Sequence, residues 1–498
     1  MNSIPKYLLL AAAASSLIGL TGCLFGSDNS GPSEENVSKS ENSSQLATAN
    51  LESNIERMRD LDQFRYGEED LTDLRASHSQ FAEAVALNPG NNKAHLGMAI
   101  TGILLAGQSE KLASVINQTV DSRSPFDTRL TEDTPLLRVS ALRKVAAAST
   151  LPEFHVIQDA IADTLLPALE DAMVHLKTVY DDPSFSMILT NEGESRELDH
   201  AEAGILLAGA HAIHSLLTLW LSRDIDIDHN GSYDYLESFG GLDTISDFSQ
   251  LSQKQKEDFN KAAEILGPTS SFLTVRPAWS ARLGAIDGEI KSALAILKES
   301  IASIDMETDP QGNDLIHICA MVDEGPCIDR SAYTDGKAVI DTAIKYMSQP
   351  YALHLPDIDT TILIDFSAYF NVQDYKQMLP YYGFYNANEW SDEKPVLYFT
   401  NASHQITGNI KTLTKIVEDA DSLGTPASEV VAQFRSVIHF QDPTFQGFLP
   451  NATEAGIWNL ILKQAEYEEN RDSDPGLILE KRTVSAFKPD FALSLIGK

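Results

Sequence analysis

The chain has 498 residues, 43% hydrophobic and 22% charged, which is enough for two or three domains with cores of their own. Its 72 acidic side chains outnumber 37 basic ones, giving a formal net charge of −35. Such a field repels nucleic-acid phosphates, so a nucleic-acid partner is not expected; it attracts cations, although acidity by itself also serves solubility.

The first segment is an address. MNSIPKY carries one Lys6 ahead of LLLAAAASSLIG, an apolar run too short to cross a bilayer as a stable helix. LTGC, Leu20 to Cys23, follows. These 23 residues resemble the signal peptide and lipobox of bacterial lipoproteins. The resemblance implies removal of residues 1–22 and a lipid on Cys23: a diacylglycerol on its sulfur and usually an acyl chain of the palmitate type on its amine. Each buried CH₂ contributes about 0.8 kcal/mol, so several chains hold a protein durably to a membrane. Leu24 stands where an Asp would resemble an inner-membrane retention signal. The expected location is therefore the cell envelope, at the outer membrane of a two-membrane cell, periplasmic or surface-facing. After the cysteine, residues 24–50 are rich in Ser, Asn, Glu and Gly. Together with Cys23 they are read as a lipidated, disordered tether over 23–50.

From 51 to 345 the pattern is helical. IQDAIADTLLPALEDAMVHLKTVY, WSARLGAIDGEIKSALAILKESIASI and KAVIDTAIKYM repeat apolar residues at three and four spacing. Near 70–105, LRASHSQFAEAVALNPGNNKAHLGMAI places an aromatic at Phe81, a small residue at Ala84 and a proline at Pro89. That order resembles one tetratricopeptide unit, and no further copy follows at the repeat period. Solenoids need about three units to bury a continuous core, so a single hairpin packed on a larger domain is expected, with no claim to a peptide groove. Gly204 to Leu221 is almost wholly apolar and is read as a core helix. Within it, His211 and His214 lie three apart, as metal ligands can, yet no HExxH motif accompanies them. They are read as histidines packed between helices.

Directly after that helix comes DIDHNGSYDYLE. With Gly231 at the sharp-turn position, Asp226, Asp228, Asn230, Asp234 and Glu237 fall at positions 1, 3, 5, 9 and 12 of an EF-hand loop, and Ser232 at position 7 offers its carbonyl. The run resembles an EF-hand-type calcium loop, and the resemblance implies calcium held by these six residues. Tyr233 departs from the usual aliphatic residue at position 8, and Gly240–Gly241 should break an exiting helix. The nearest candidate for a second hand, Glu307–Asp314, has Ile318 where a carboxylate is needed. A solitary loop, fed directly by the preceding helix and acting as a staple rather than a sensor, is expected.

Cys23 being lipidated, Cys319 and Cys327 remain in HICAMVDEGPCID, with Gly325–Pro326 to turn the chain. In an exporting compartment they are expected to form a disulfide.

Over 346–498 the texture changes. TTILIDFSAYF and PVLYFT are rich in β-branched and aromatic residues and predict short strands. Helices are expected near 408–436 and 453–469. DPTFQGFLP, Asp442 to Pro450, reads either as a contact surface for peptide or glycan or as a packed turn, the turn being preferred. The expected fold is mainly α: an irregular helical bundle or array with a C-terminal α+β part containing short strands.

Motifs of the GxSxG, GxGxxG, phosphate-loop and zinc-protease kinds do not occur in the sequence. The reading is a calcium-stabilised lipoprotein, non-catalytic, that scaffolds or binds a protein or glycan partner. The alternative is a cell-envelope hydrolase acting on glycan or protein.

Overall fold

A computed structural model describes residues 32–59, 68–112, 154–191, 194–225, 265, 270–306, 318–319, 328–378, 383–385, 396–400, 405–409, 426–435, 440 and 442–471. The fold is mainly helical, with small sheets, and the chain divides into two compact units.

The first unit begins with a correction. Residues 34–50, expected as part of the tether, belong to helix α1, Glu34–Arg59. Its inner face reads Ser40, Ser44, Ala47, Leu51, a helical spacing built mostly of small residues. Low hydrophobicity made the segment resemble a linker. Small side chains instead let α1 approach α2, Glu68–Leu87, closely enough to bury Leu74, Phe81 and Ala84 against Ala47 and Leu51. The serine hydroxyls are used: Ser40 Oγ donates to the Ala84 carbonyl (2.7 Å) and accepts from Asn91 Nδ2 (2.8 Å).

Asn91 also starts α3, Asn92–Gly107, where its Oδ1 accepts from the Ala94 N–H (3.1 Å) and satisfies one open donor of the first turn. Helices α2 and α3 meet at a glycine. A Cβ at Gly97 would lie 2.4 Å from the Phe81 ring, so only glycine allows this approach. Helix α4, Phe154–Tyr180, packs Leu169, Ala172 and Leu176 on Leu96, Ala99 and Ile103 of α3.

A hairpin absent from the sequence reading follows: β1, Ser186–Asn191, pairs antiparallel with β2, Glu194–Asp199, in the register Asn191↔Glu194. Alternation explains it, since Met187 is buried and Ile188 exposed. Asp199 then begins α5, His200–Leu221, with a capping box: Asp199 Oδ1 accepts from the Ala201 and Glu202 amides, and Glu202 reaches back to the Asp199 N–H. Gly204 lets α5 approach its neighbours; a Cβ there would stand 2.0 Å from Ser300 Oγ and 2.7 Å from the Tyr180 ring.

By length and composition α5 is the one helix among the described residues apolar enough to cross a membrane. Ala203, Leu207 and Ala210 are buried in the core of the unit, and Leu216 is 61% exposed. Helix α6, Ser280–Met306, and α7, Arg330–Ser348, are tied by Tyr333, whose hydroxyl donates to the Ile301 carbonyl, by Lys298–Asp341 (2.7 Å) and by Lys337–Asp305. Between these helices β3, Ile318–Cys319, pairs parallel with β4, Ile328–Asp329, which sets Cys319 opposite Asp329. Cys327, the expected disulfide partner, lies outside the described residues.

In the second unit, β5, Tyr351–Leu355, and β6, Thr360–Ile364, form an antiparallel hairpin around a Pro356–Ile358 turn. The expected strand TTILIDFSAYF stops at Ile364. Asp365 accepts from the Ala368 N–H and caps a short helix α8, Phe366–Phe370. Strands β7, Gly383–Tyr385, β8, Val396–Thr400, and β9, Gln405–Asn409, make an antiparallel sheet. Strand β9 stands at the start of the expected helix over 408–436, of which α9, Ala427–Arg435, is helical; α10, Glu454–Arg471, follows.

The Asp442–Pro450 run is a half-buried turn. Phe448 stands edge-on to Phe366 (5.9 Å), and Phe440 to both Phe445 and Trp458. Phe445, Gln446 and Gly447 all have positive φ. Asp442 holds them: its Oδ1 accepts from the Thr444 amide and hydroxyl, and its Oδ2 from the Gln446 amide.

Candidate functional site

Two histidine centres in the helical unit bring buried and half-buried charged side chains together. The first lies on α5. His214, only 7% exposed, directs Nδ1 to Glu289 Oε2 of α6 (2.7 Å), and Ser215 Oγ donates to the same oxygen (3.0 Å). On its other side, Nε2 stands 3.4 Å from Glu170 Oε1 of α4, an ion pair without a well-aligned hydrogen bond. Arg282 Nη1 completes the cluster, 3.0 Å from the same Glu170 oxygen.

Burial alone would strip His214 of its proton. Contact with Glu170, then with Glu289, outweighs that and holds its pKa up at about 9. Glu170 in turn is held below the usual carboxylate range by His214, against burial and with help from Arg282; Glu289 is held down by His214 despite burial. The centre is thus a cation between two anions, joining α4, α5 and α6. Its neighbour His211 goes the other way, its pKa lowered by burial. Two histidines three residues apart on one helix therefore carry different charges near neutral pH. With both ring nitrogens of His214 facing carboxylates, the pair does not share a ligand position for a metal.

The second centre joins α3 to α4. His95 Nε2 lies 2.9 Å from the Pro89 carbonyl, and His95 Nδ1 lies 2.7 Å from Nδ1 of His175. His175 Nε2 faces Asp171 Oδ2 at 3.2 Å, one turn back on the same helix. From α2, His78 Nδ1 meets Thr101 Oγ1 (2.8 Å), and that hydroxyl donates to the Gly97 carbonyl. Burial lowers the pKa of both His78 and His95.

A third charged group sits in the second unit, where the chain leaves α5. Helix α5 does not run into the calcium-type loop as expected. Ser222 caps it, with its amide on the Thr218 carbonyl and its hydroxyl on Leu219. Arg223 then bridges Val275 in an extended conformation, and Asp224 bonds both ways: its N–H to the Thr274 carbonyl (3.0 Å), its carbonyl from the Leu273 N–H (2.6 Å). The Arg223 guanidinium lies over the Tyr375 ring at 4.1 Å. Buried Lys376 donates to the Phe272 carbonyl (2.6 Å) and to Asp374 (2.9 Å).

The loop residues themselves, Asp226, Asp228, Asn230, Ser232, Asp234 and Glu237, lie outside the described residues, as does Cys23. Among the described residues no group of three or more His, Cys, Asp or Glu side chains is arranged to hold a metal ion. Sequence reasoning named His211 and His214 but missed Glu170, Arg282 and Glu289, which come from helices far along the chain and share no local pattern with them. Asp171 and His175 do carry a local signal, the i, i+4 spacing that places both on one helix face. Comparison with known protein families, curated proteins and solved structures finds no match for the chain.

Proposed function

We propose that the chain is a non-catalytic, lipid-anchored envelope protein whose helical body scaffolds or binds a protein or glycan partner, and whose loop 226–237 takes calcium as a structural ion. The lipid anchor rests on the Cys23 motif and the outer-membrane location on Leu24. The observation that carries the loop reading is the clamp two residues before the first ligand position. Both backbone groups of Asp224 are bonded to the 273–274 segment, which fixes the chain at Asp224. Calcium asks for six to eight oxygens in flexible geometry, and the run from Asp226 to Glu237 offers a suitable oxygen at every ligand position. The non-catalytic reading is supported by the use made of the histidines and carboxylates described above, which tie helices to each other.

A solitary loop in an exported protein suits the weak extracellular class, with Kd on the order of 10⁻⁴–10⁻³ M. Melting the full chain in about 10 mM calcium, then after chelation, tests the site. Linkage predicts a gain of about 2.7 kcal/mol at a hundredfold excess over Kd, seen as a rise in Tm. Glu237→Ala should abolish the rise. An unchanged melting point in the native sequence, or an equal rise in the variant, removes calcium from the proposal.

A further inference from the structure

We propose that His95 and His175 share one proton that clasps α3 to α4, and that either adding a second proton or removing the first opens this joint, making it a pH-gated contact within the helical unit. The count follows from the partners. The Pro89 carbonyl can only accept, so His95 Nε2 carries a hydrogen. His175 Nε2 lies 3.2 Å from the Asp171 carboxylate, an ion-pair contact that a bare nitrogen lone pair would oppose, so this nitrogen carries another. The remaining line, Nδ1 to Nδ1 at 2.7 Å, has room for one hydrogen. Three hydrogens on two imidazoles make one positive charge, and Asp171 balances it.

Each change in the count breaks a contact. With one proton fewer, a bare nitrogen lone pair faces Asp171, the opposing ring or the Pro89 carbonyl. With one proton more, two N–H groups face each other at a distance that only a donor and an acceptor can share. The titratable group facing the pair from α2 is His78; from α4 it is Asp171; Lys93 of α3 points to solvent. His78 is committed to Thr101, whose own hydrogen goes to Gly97, so neutral His78 keeps its hydrogen on Nδ1. Acid therefore adds charge on α2 as well, and only Asp171 offsets it. Leu96 and Ala99 of α3 and Leu169 and Ala172 of α4, all at most 1% exposed, belong to the core that joins the two helices.

Hydrogen exchange of the full chain, read by mass spectrometry across pH 5 to 9 and corrected for the intrinsic rate, tests the clasp. Protection of amides in 92–107 and 169–179 should peak within that range. Outside the peak it should fall about tenfold per pH unit on each side, the slope for one proton taken up or released on opening. The segment 280–300 serves as a reference without that peak. In Asp171→Asn the pair loses its balancing charge, so the closed pair holds its proton less tightly and the peak should weaken and move to higher pH. In the double variant His95→Gln, His175→Gln the peak should flatten. A pH-independent protection of 92–107 in the native sequence, or a peak unmoved in Asp171→Asn, would overturn the proposal.

Discussion

The two histidine centres of the helical unit bury the same side chain and obtain opposite results. At His214, two carboxylates from different helices close on one ring and keep it charged. At the His95–His175 pair, one carboxylate serves two rings, and burial wins over charge at His95. The number of anions per imidazole decides which way a buried histidine titrates, because desolvation is paid at both sites and only the compensation differs. One centre should therefore resist acid and the other yield to it.

The largest break in that comparison comes from removing the central cation. His214→Leu leaves Glu170 and Glu289 partly buried around an empty charge, and should cost about 3 kcal/mol in chemical denaturation followed by far-UV circular dichroism. His211→Leu, one turn away and neutral, should cost well under half of that. An equal loss in both variants would mean that packing, not charge, is being measured. Next, Gly97→Ala forces a methyl group against the Phe81 ring beside the second centre and should cost about 2 kcal/mol, with no change in pH dependence. Smallest is His95→Gln, which forfeits one hydrogen bond at neutral pH for about 1 kcal/mol. Below pH 6 its sign should reverse, because the variant lacks a ring whose buried form resists protonation.

Linkage gives each centre its pH window. His214 is raised from an ordinary value of 6.5 to about 9, so its stabilisation is fully present below 6.5 and lost as pH rises through 9. Glu170 and Glu289, both held low, contribute above the usual carboxylate range and lose that contribution only in strong acid. His78 and His95 are lowered by burial, so each destabilises the fold as pH falls below 6.5.

Fold class was legible because the apolar spacing of α4, α6 and α7 is regular and long enough to outweigh local exceptions. Helix α1 was not legible, since its buried face is built from Ser40, Ser44 and Ala47, whose contribution is close approach rather than hydrophobicity. The β1–β2 hairpin was hidden between two strong helices. At the site, a sequence window can show Asp171 with His175, four apart. It cannot show Glu170 with His214 and Glu289, where the partners are 44 and 75 residues from the histidine and only helix packing brings them together. The approach to the calcium-type loop differs for a related reason: α5 ends at Leu221, five residues before Asp226, where Arg223 bridges Val275, and that pairing is non-local.

The most direct test is the stability difference between the native sequence and His214→Gln, measured by urea denaturation of the full chain at intervals from pH 6 to 10. A charged His214 between two carboxylates predicts a difference of about 3 kcal/mol near pH 6 that declines through pH 9 and is nearly gone at pH 10. A difference that stays constant across this range would contradict the charged centre and, with it, the opposition between the two histidine sites.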